Sequence, residues 1–299
     1  MKEHPPGGKD RPPPADSAPF DLKDFYGIKV PDTLGLMHGN KKIISMGIEP
    51  THLPALKKTF SKYGLKFTAL DSVHDYKGRR NTYIISKKTE YLAAANEAYG
   101  KNRFDLVGLL LGYPSCCVEK HLSLVAREAP DDFVRRCAGA AKRFFWPINN
   151  ILDFDGRMVG AKAAAASFAG HRQISLISHN PCSFACERSL KIAVTNLLHL
   201  RRHGSDPGRE GEYSLLMKPV LYLDDFHFAI LDGKAAGRSV SYGGLALSFG
   251  LKELREKLLE GDKVSVSGAE LSVFKKGRRS YKAVLPAPPL LLPFDREAD

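Results

Sequence analysis

The sequence predicts an α+β chain with a small α/β N-terminal unit, a helical cysteine-bearing core, and a C-terminal, mainly antiparallel β sheet or partly open barrel. Three observations predict it. Short apolar runs with period two occur at both ends of the chain, and between residues 89 and 203 they give way to helical stripes. A polar stretch, GSDPGREG at 204–211, marks the return to period two. At 299 residues with 43% apolar residues, the chain can bury a large core without staples.

Residues 1–24 hold six of the 19 prolines, and HPPGGKDRPPP is too rich in proline and glycine to pack, so this stretch reads as a disordered tail. It contains no apolar core of a secretory signal, and no run approaches the roughly 20 apolar residues that span a bilayer, so a cytoplasmic protein without a membrane partner is expected. In the unit at 25–88, strands are expected at 42–46, 65–70 and 82–86, with one helix at 54–63 closed by Gly64. In the core at 89–203, apolar positions 133, 134, 137, 138, 141, 144 and 145 predict a helix over 131–145, stopped by Pro147. Positions 186, 190, 193, 194 and 197 predict another over 183–202, with Gly204 beyond its end. From 211 to 299, strands are expected at 220–228, 238–240, 245–248, 263–267, 271–274 and 282–285, with one helix at 251–259.

The formal charge of +12 lies within residues 25–210, and both ends are close to balance. Basic clusters stand at 77–80, 87–88, 201–202 and 275–279, with Tyr76, Tyr83 and Tyr281 near several of them. Such groups neutralise phosphates and stack on bases, so an anionic small molecule or a nucleic acid is a candidate partner; a solvated surface is the plainer alternative. Signatures of P-loop nucleotide hydrolysis, serine hydrolysis and HExxH zinc peptidases are absent.

The five cysteines resolve into four and one. Cys116 and Cys117 follow Gly112-Tyr113-Pro114-Ser115, and Cys182 and Cys186 follow His179-Asn180-Pro181, so each pair opens a predicted helix. A helix N-terminus favours thiolate over thiol through its unpaired N–H groups and positive end. If the second helix reaches back to residue 182, Cys182 and Cys186 share a face at i and i+4. The four thiolates are candidate ligands of an iron–sulfur cluster or of zinc. Adjacent cysteines point different ways, which suits a multi-iron cluster or an irregular turn better than a single ion. Cys137 lies mid-stripe and reads as core.

GLLLGYPSCCVEKHL (108–122) together with SHNPCSFACERSLKIA (178–193) resembles the signature of an uncharacterised prokaryotic family, domain of unknown function 483, which pairs a Gly-Tyr-Pro-x-Cys-Cys element with His-x-Pro-Cys-Ser-x-x-Cys. The resemblance implies that Gly112, Tyr113, Pro114, Cys116, Cys117, His179, Pro181, Cys182, Ser183 and Cys186 act as one set. It implies no known reaction, and it does not reach residues 1–24 or the last segment.

Other groups complete the candidates. His179, three residues before Cys182, can be an auxiliary ligand, a catalytic acid or the partner that tunes a thiolate. Ser183 can cap the helix. Asp225 and His227 would share a face if 220–228 were one strand, forming part of a metal site; a turn with solvated carboxylates is the alternative. Three functions follow. The first is a cytosolic metalloprotein with a cysteine-ligated iron–sulfur cluster or zinc and redox chemistry on an anionic substrate. The second is a nucleic-acid-binding or RNA-modifying factor with a structural metal. The third is a metal-free thiol enzyme with Cys182 or Cys186 as nucleophile and His179 as base.

Overall fold

The computed structural model describes residues 20–25, 28–74, 81–125, 133–151, 158–160, 175–203, 213–224, 227–248 and 252–294. The fold is α+β, as the apolar periods predict. Residues 1–19 and the 204–211 linker lie outside the described residues.

The first part holds α1 (Val30–Met37), β1 (Ile44–Ile48), α2 (Leu53–Lys62), β2 (Lys66–His74) and β3 (Asn81–Ser86). Its three strands form an antiparallel sheet in the order β1-β3-β2. Gly64 takes a positive φ of 64° and closes α2, the conformation that glycine adopts without a Cβ penalty. The expectation of one helix here is corrected to two. Residues 31–37 of α1 are all buried, so this helix has no polar face and its sequence, VPDTLGLM, shows no amphipathic stripe.

The middle part holds α3 (Thr89–Gly100), α4 (Phe104–Leu110), α5 (Ser115–Val125), α6 (Phe133–Gly139), a short strand β4 (Met158–Gly160) and α7 (Glu187–Arg202). Two expected helices are shorter than the apolar stripes suggest. The stripe over 131–145 is helical only as α6, because the chain then turns so that the Phe145 N–H donates to the Phe184 carbonyl and the Phe144 ring packs on Phe184 and Phe294. The second helix begins at Glu187 with Cys186 as its N-cap, so residues 182–185 are not helical and the i, i+4 argument for Cys182 and Cys186 does not hold.

The last part holds β5 (Val220–Asp224), β6 (His227–Ala236), β7 (Ser239–Ser248), α8 (Lys252–Glu260), β8 (Lys263–Ser267), β9 (Glu270–Lys275), β10 (Arg278–Val284) and β11 (Leu290–Leu292). These strands form an antiparallel sheet in the order β10-β9-β8-β7-β6-β5-β11, and β4 joins it against β7; the sheet has two edges and is not closed into a barrel. The expected strand over 220–228 is a hairpin. Asp224 Oδ1 accepts the His227 N–H at 3.0 Å, the side-chain-to-backbone bond by which aspartate reverses a chain.

Alternation places this sheet between two cores. Leu221, Ala229 and Leu231 face Leu254 and Leu258 of α8, whereas Val220, Tyr222, Phe228 and Ile230 face the helical middle. That main core also takes in Leu34, Met37, Ile44 and Phe60 from the first part, and Cys117, Cys137, Phe184 and Cys186 from the middle. The cysteine motifs are thus set into the largest apolar core among the described residues.

Candidate metal centre

The GYP element builds the approach to α5. Gly112 follows α4 with a φ of 76°, and a Cβ there would stand 2.7 Å from the Asn40 carbonyl, so glycine answers both a left-handed turn and a close backbone contact. The Pro114 carbonyl accepts the N–H groups of Cys117 and Val118, which starts α5 and puts Cys116 and Cys117 in its first turn. Where α4 meets α5, a Cβ on Gly108 would come within 2.7 Å of Val118.

The second motif is a loop pinned by side chains. Tyr113 Oη donates to the Ser178 carbonyl at 3.2 Å, Asn150 Nδ2 donates to the His179 carbonyl at 3.2 Å, and Asn196 Nδ2, from α7, donates to the Leu176 carbonyl at 2.9 Å. Ser183 does not cap the helix; its Oγ accepts the Ala185 N–H at 3.1 Å inside the turn, and the Cys186 N–H returns to the Ser183 carbonyl. Phe184, wholly buried, anchors the turn in the core.

The two motifs bring four sulfurs together. Cys116, Cys117, Cys182 and Cys186 have Sγ atoms all within 4.8 Å of one another, and no other group of three or more candidate ligands forms among the described residues. Cys116–Cys117 is 3.9 Å, Cys116–Cys186 is 3.8 Å and Cys117–Cys186 is 3.7 Å. The adjacent pair that looked awkward for a single ion therefore converges. Cys117 and Cys186 are buried, and Cys116 and Cys182 are half-buried. The Cys182 N–H donates to Cys117 Sγ at 3.3 Å, which stabilises negative charge on that sulfur.

The sulfurs compete for protons. The Cys117 thiol, first of its neighbours, holds Cys186 down to about 4 against the effect of burial, helped by Ser189 and Cys182. Hydrogen bonding to Cys186 and then burial push Cys117 far up, and burial first, then Cys186 and Cys116, push Cys182 up to about 12. Donors gather on one thiolate, and four thiolates so close ionise together only with a cation among them.

His179 stands one step outside the sulfurs. Its Nε2 is hydrogen-bonded to Ser189 Oγ at 2.8 Å, and Ser189 Oγ lies 3.3 Å from Cys117 Sγ. Burial, then the Lys41 charge, lowers the ring to about 3, with Asp32 opposing, so it is neutral at physiological pH. Ser189 escaped the sequence reading. Its available signal was position, since it lies in the first turn of α7, three residues after Cys186.

Lys41 and Asp32 were also missed, because Lys41 reads as one more charge in the run HGNKK. The two form an ion pair at 2.8 Å with side-chain exposures of only 6% and 11%, and Lys41 Nζ donates to Ser178 Oγ at 2.7 Å and lies 4.8 Å from the Tyr113 ring centre. A Cβ on Gly35 would stand 2.8 Å from the Lys41 side chain and one on Gly112 would stand 3.1 Å from it. One buried cation thus joins the N-terminal part to both cysteine motifs.

The remaining candidates lie elsewhere. Cys137, buried as expected of core, donates to the Pro181 carbonyl at 2.7 Å. His227 opens β6 and pairs with Asp224 at 2.8 Å in an exposed hairpin; Asp225 lies outside the described residues. Of the basic clusters, 275–279 spans the β9–β10 turn, where Arg279 faces Glu270, and Lys87 Nζ donates to the Met37 carbonyl at 2.5 Å; 77–80 lies outside the described residues. No helix among the described residues is long and apolar enough to cross a membrane.

Comparison with known proteins yielded no matching family model, no matching curated protein and no matching solved structure.

Proposed function

We propose that this protein is a metalloprotein in which Cys116, Cys117, Cys182 and Cys186 hold one tetrahedral ion, with zinc as the expected metal. The sulfur spacing carries the reading. Four sulfurs at about 2.3 Å from a central ion form a tetrahedron with edges of about 3.8 Å, and three of the measured separations are 3.7, 3.8 and 3.9 Å. A four-iron cluster asks for more room, because each thiolate ligates a different iron and points outward from its own corner. The spacing thus supports a single ion over the iron–sulfur cluster, and all-thiolate donors suit zinc. The resemblance to domain of unknown function 483 rests on the same cysteines and supports grouping them.

The ion would join α5, the loop at 175–186 and the N-cap of α7, so that binding free energy becomes folding free energy. The chain supplies the outer contacts itself: the Cys182 N–H and the Ser189 hydroxyl meet Cys117, and His179 orients Ser189. The arrangement gives less support to a metal-free thiol enzyme, since the His179 Nε2 is engaged by Ser189 and not by a sulfur.

Elemental analysis of the protein purified under reducing conditions tests the proposal. One zinc per chain is expected, as is a cobalt-substituted form with the intense visible absorption of a tetrahedral thiolate site. Iron with labile sulfide in stoichiometric amount would replace the single-ion reading by the cluster, and protein without stoichiometric metal that takes up no cobalt would overturn both.

A further inference from the structure

A narrow cleft opens between α5 and α6 beside the sulfurs. Cys117, Lys120, His121 and Leu124 of α5 line one wall, and Phe133, Arg136 and Cys137 of α6 line the other; Asn180, Pro181 and Cys182 form the floor. The α5 positions are i, i+3, i+4 and i+7, and the α6 positions are i, i+3 and i+4, so each helix turns one face toward the seam. Two short helices that only pack together would place apolar residues at those positions. Here each wall brings a cation above a sulfur floor, and the His121 ring stacks on Phe133 at 5.2 Å, closing one side of the seam. Among the described residues no carboxylate lines the cleft. The half-buried Cys182 is the sulfur on the floor that solvent reaches best.

We propose that this cleft is a binding site for a small anionic ligand, with Lys120 and Arg136 receiving a phosphate or carboxylate head group and placing it against Cys182. This deepens the metal-centre reading by naming the class of ligand that approaches the sulfurs, and it rests on that reading only for what the ligand meets there. The cations also offset the negative charge of a four-thiolate centre. A compensating role alone would leave no preference between an anionic and a neutral visitor.

Two alkylating agents that differ in charge make the test. Iodoacetate carries a carboxylate where iodoacetamide carries a neutral amide, so the ratio of their rate constants at one thiol reports local selectivity for anions while the thiol's own reactivity cancels. On the protein as purified, with labelled residues identified by peptide mass mapping, the ratio at Cys182 is expected to exceed that in the denatured chain at least fivefold and to fall with salt, as steering by two partly exposed cations would give. In Lys120→Gln/Arg136→Gln it should drop to the denatured-chain value. A second measurement needs no variant: inorganic phosphate or acetate, at matched ionic strength against chloride, should slow labelling of Cys182 by the neutral reagent. Protection by either anion supports the site and identifies its preferred head group. A ratio equal to that of the denatured chain, with no protection by either anion, would overturn the proposal. Failure of the metal reading appears separately, as missing metal in elemental analysis.

Discussion

Ser189 is the point at which the proposed centre can be weakened without touching a sulfur. Its side chain is fully buried, and its hydroxyl bridges Cys117 Sγ at 3.3 Å and His179 Nε2 at 2.8 Å. Ser189→Ala removes one oxygen and leaves four thiols in place. Loss of a group that hydrogen-bonds a metal ligand costs about 10- to 100-fold in affinity, or about 1.4–2.7 kcal/mol. Stranding the His179 nitrogen, on a side chain that is 7% exposed, adds about 1–3 kcal/mol to the loss of folding stability. Competition for zinc with a chromophoric chelator at neutral pH measures the first quantity, and urea unfolding of the loaded protein measures the second. His179→Ala should weaken zinc binding less than Ser189→Ala, because the imidazole reaches Cys117 only through the hydroxyl. Zinc binding by Ser189→Ala as tight as the natural protein's would refute the assignment of Ser189 to the centre.

Three further outcomes are expected. Gly112→Ala, at a φ of 76° and with its new Cβ 2.7 Å from the Asn40 carbonyl, should lose about 2 kcal/mol or more in urea unfolding together with metal occupancy, whereas Gly100→Ala, with nothing within 4 Å, should be neutral or slightly stabilising. Lys41→Met leaves the Asp32 carboxylate buried and uncompensated, a loss of about 3–5 kcal/mol; the double replacement Lys41→Met/Asp32→Leu should recover much of it, and a single variant within 1 kcal/mol of the parent would show that the pair is not buried as described. The ends of α1 and α7 meet through His38, whose Nε2 lies 3.0 Å from His203 Nε2 and whose ring stacks on His199 at 3.5 Å. Burial first, then His199, His203, Lys87 and Arg202, lowers His38 to about 4, whereas the unfolded residue titrates near 6.5. Between those values the unfolded chain binds more protons, so stability falls as pH drops from about 6.5 to 4, by about 1 kcal/mol for this half-exposed ring after solvent screening. Comparing urea midpoints at pH 7 and pH 5 for the natural protein and His38→Gln checks the sign, and an undiminished acid loss in the variant would remove His38 as a cause.

The sequence by itself determined the local periods and the grouping of the cysteines. The strands of the last part alternate because each presents opposite faces, and Gly64 ends α2 because it tolerates a positive φ; both effects act over a few residues and are written in residue type. The four motif cysteines separate from Cys137 because a proline stands just before each pair, and a proline disposes the chain to start a helix or to turn. What only the tertiary structure decided depends on contacts far apart in the chain. Whether two adjacent cysteines can share one ion is set by how the loop at 175–186 meets α5, and there the sulfurs of Cys117 and Cys186, 69 residues apart, come to 3.7 Å. The buried helix α1 was hidden because burial on every side removes the stripe that marks a helix. Lys41 looked like surface charge, and only the space left by Gly35 and Gly112 shows it enclosed beside both motifs. The apolar stripe over residues 131–145 promised one helix and is divided, because Phe144 and Phe145 find their apolar partners in Phe184 and Phe294, where helix geometry could not carry them.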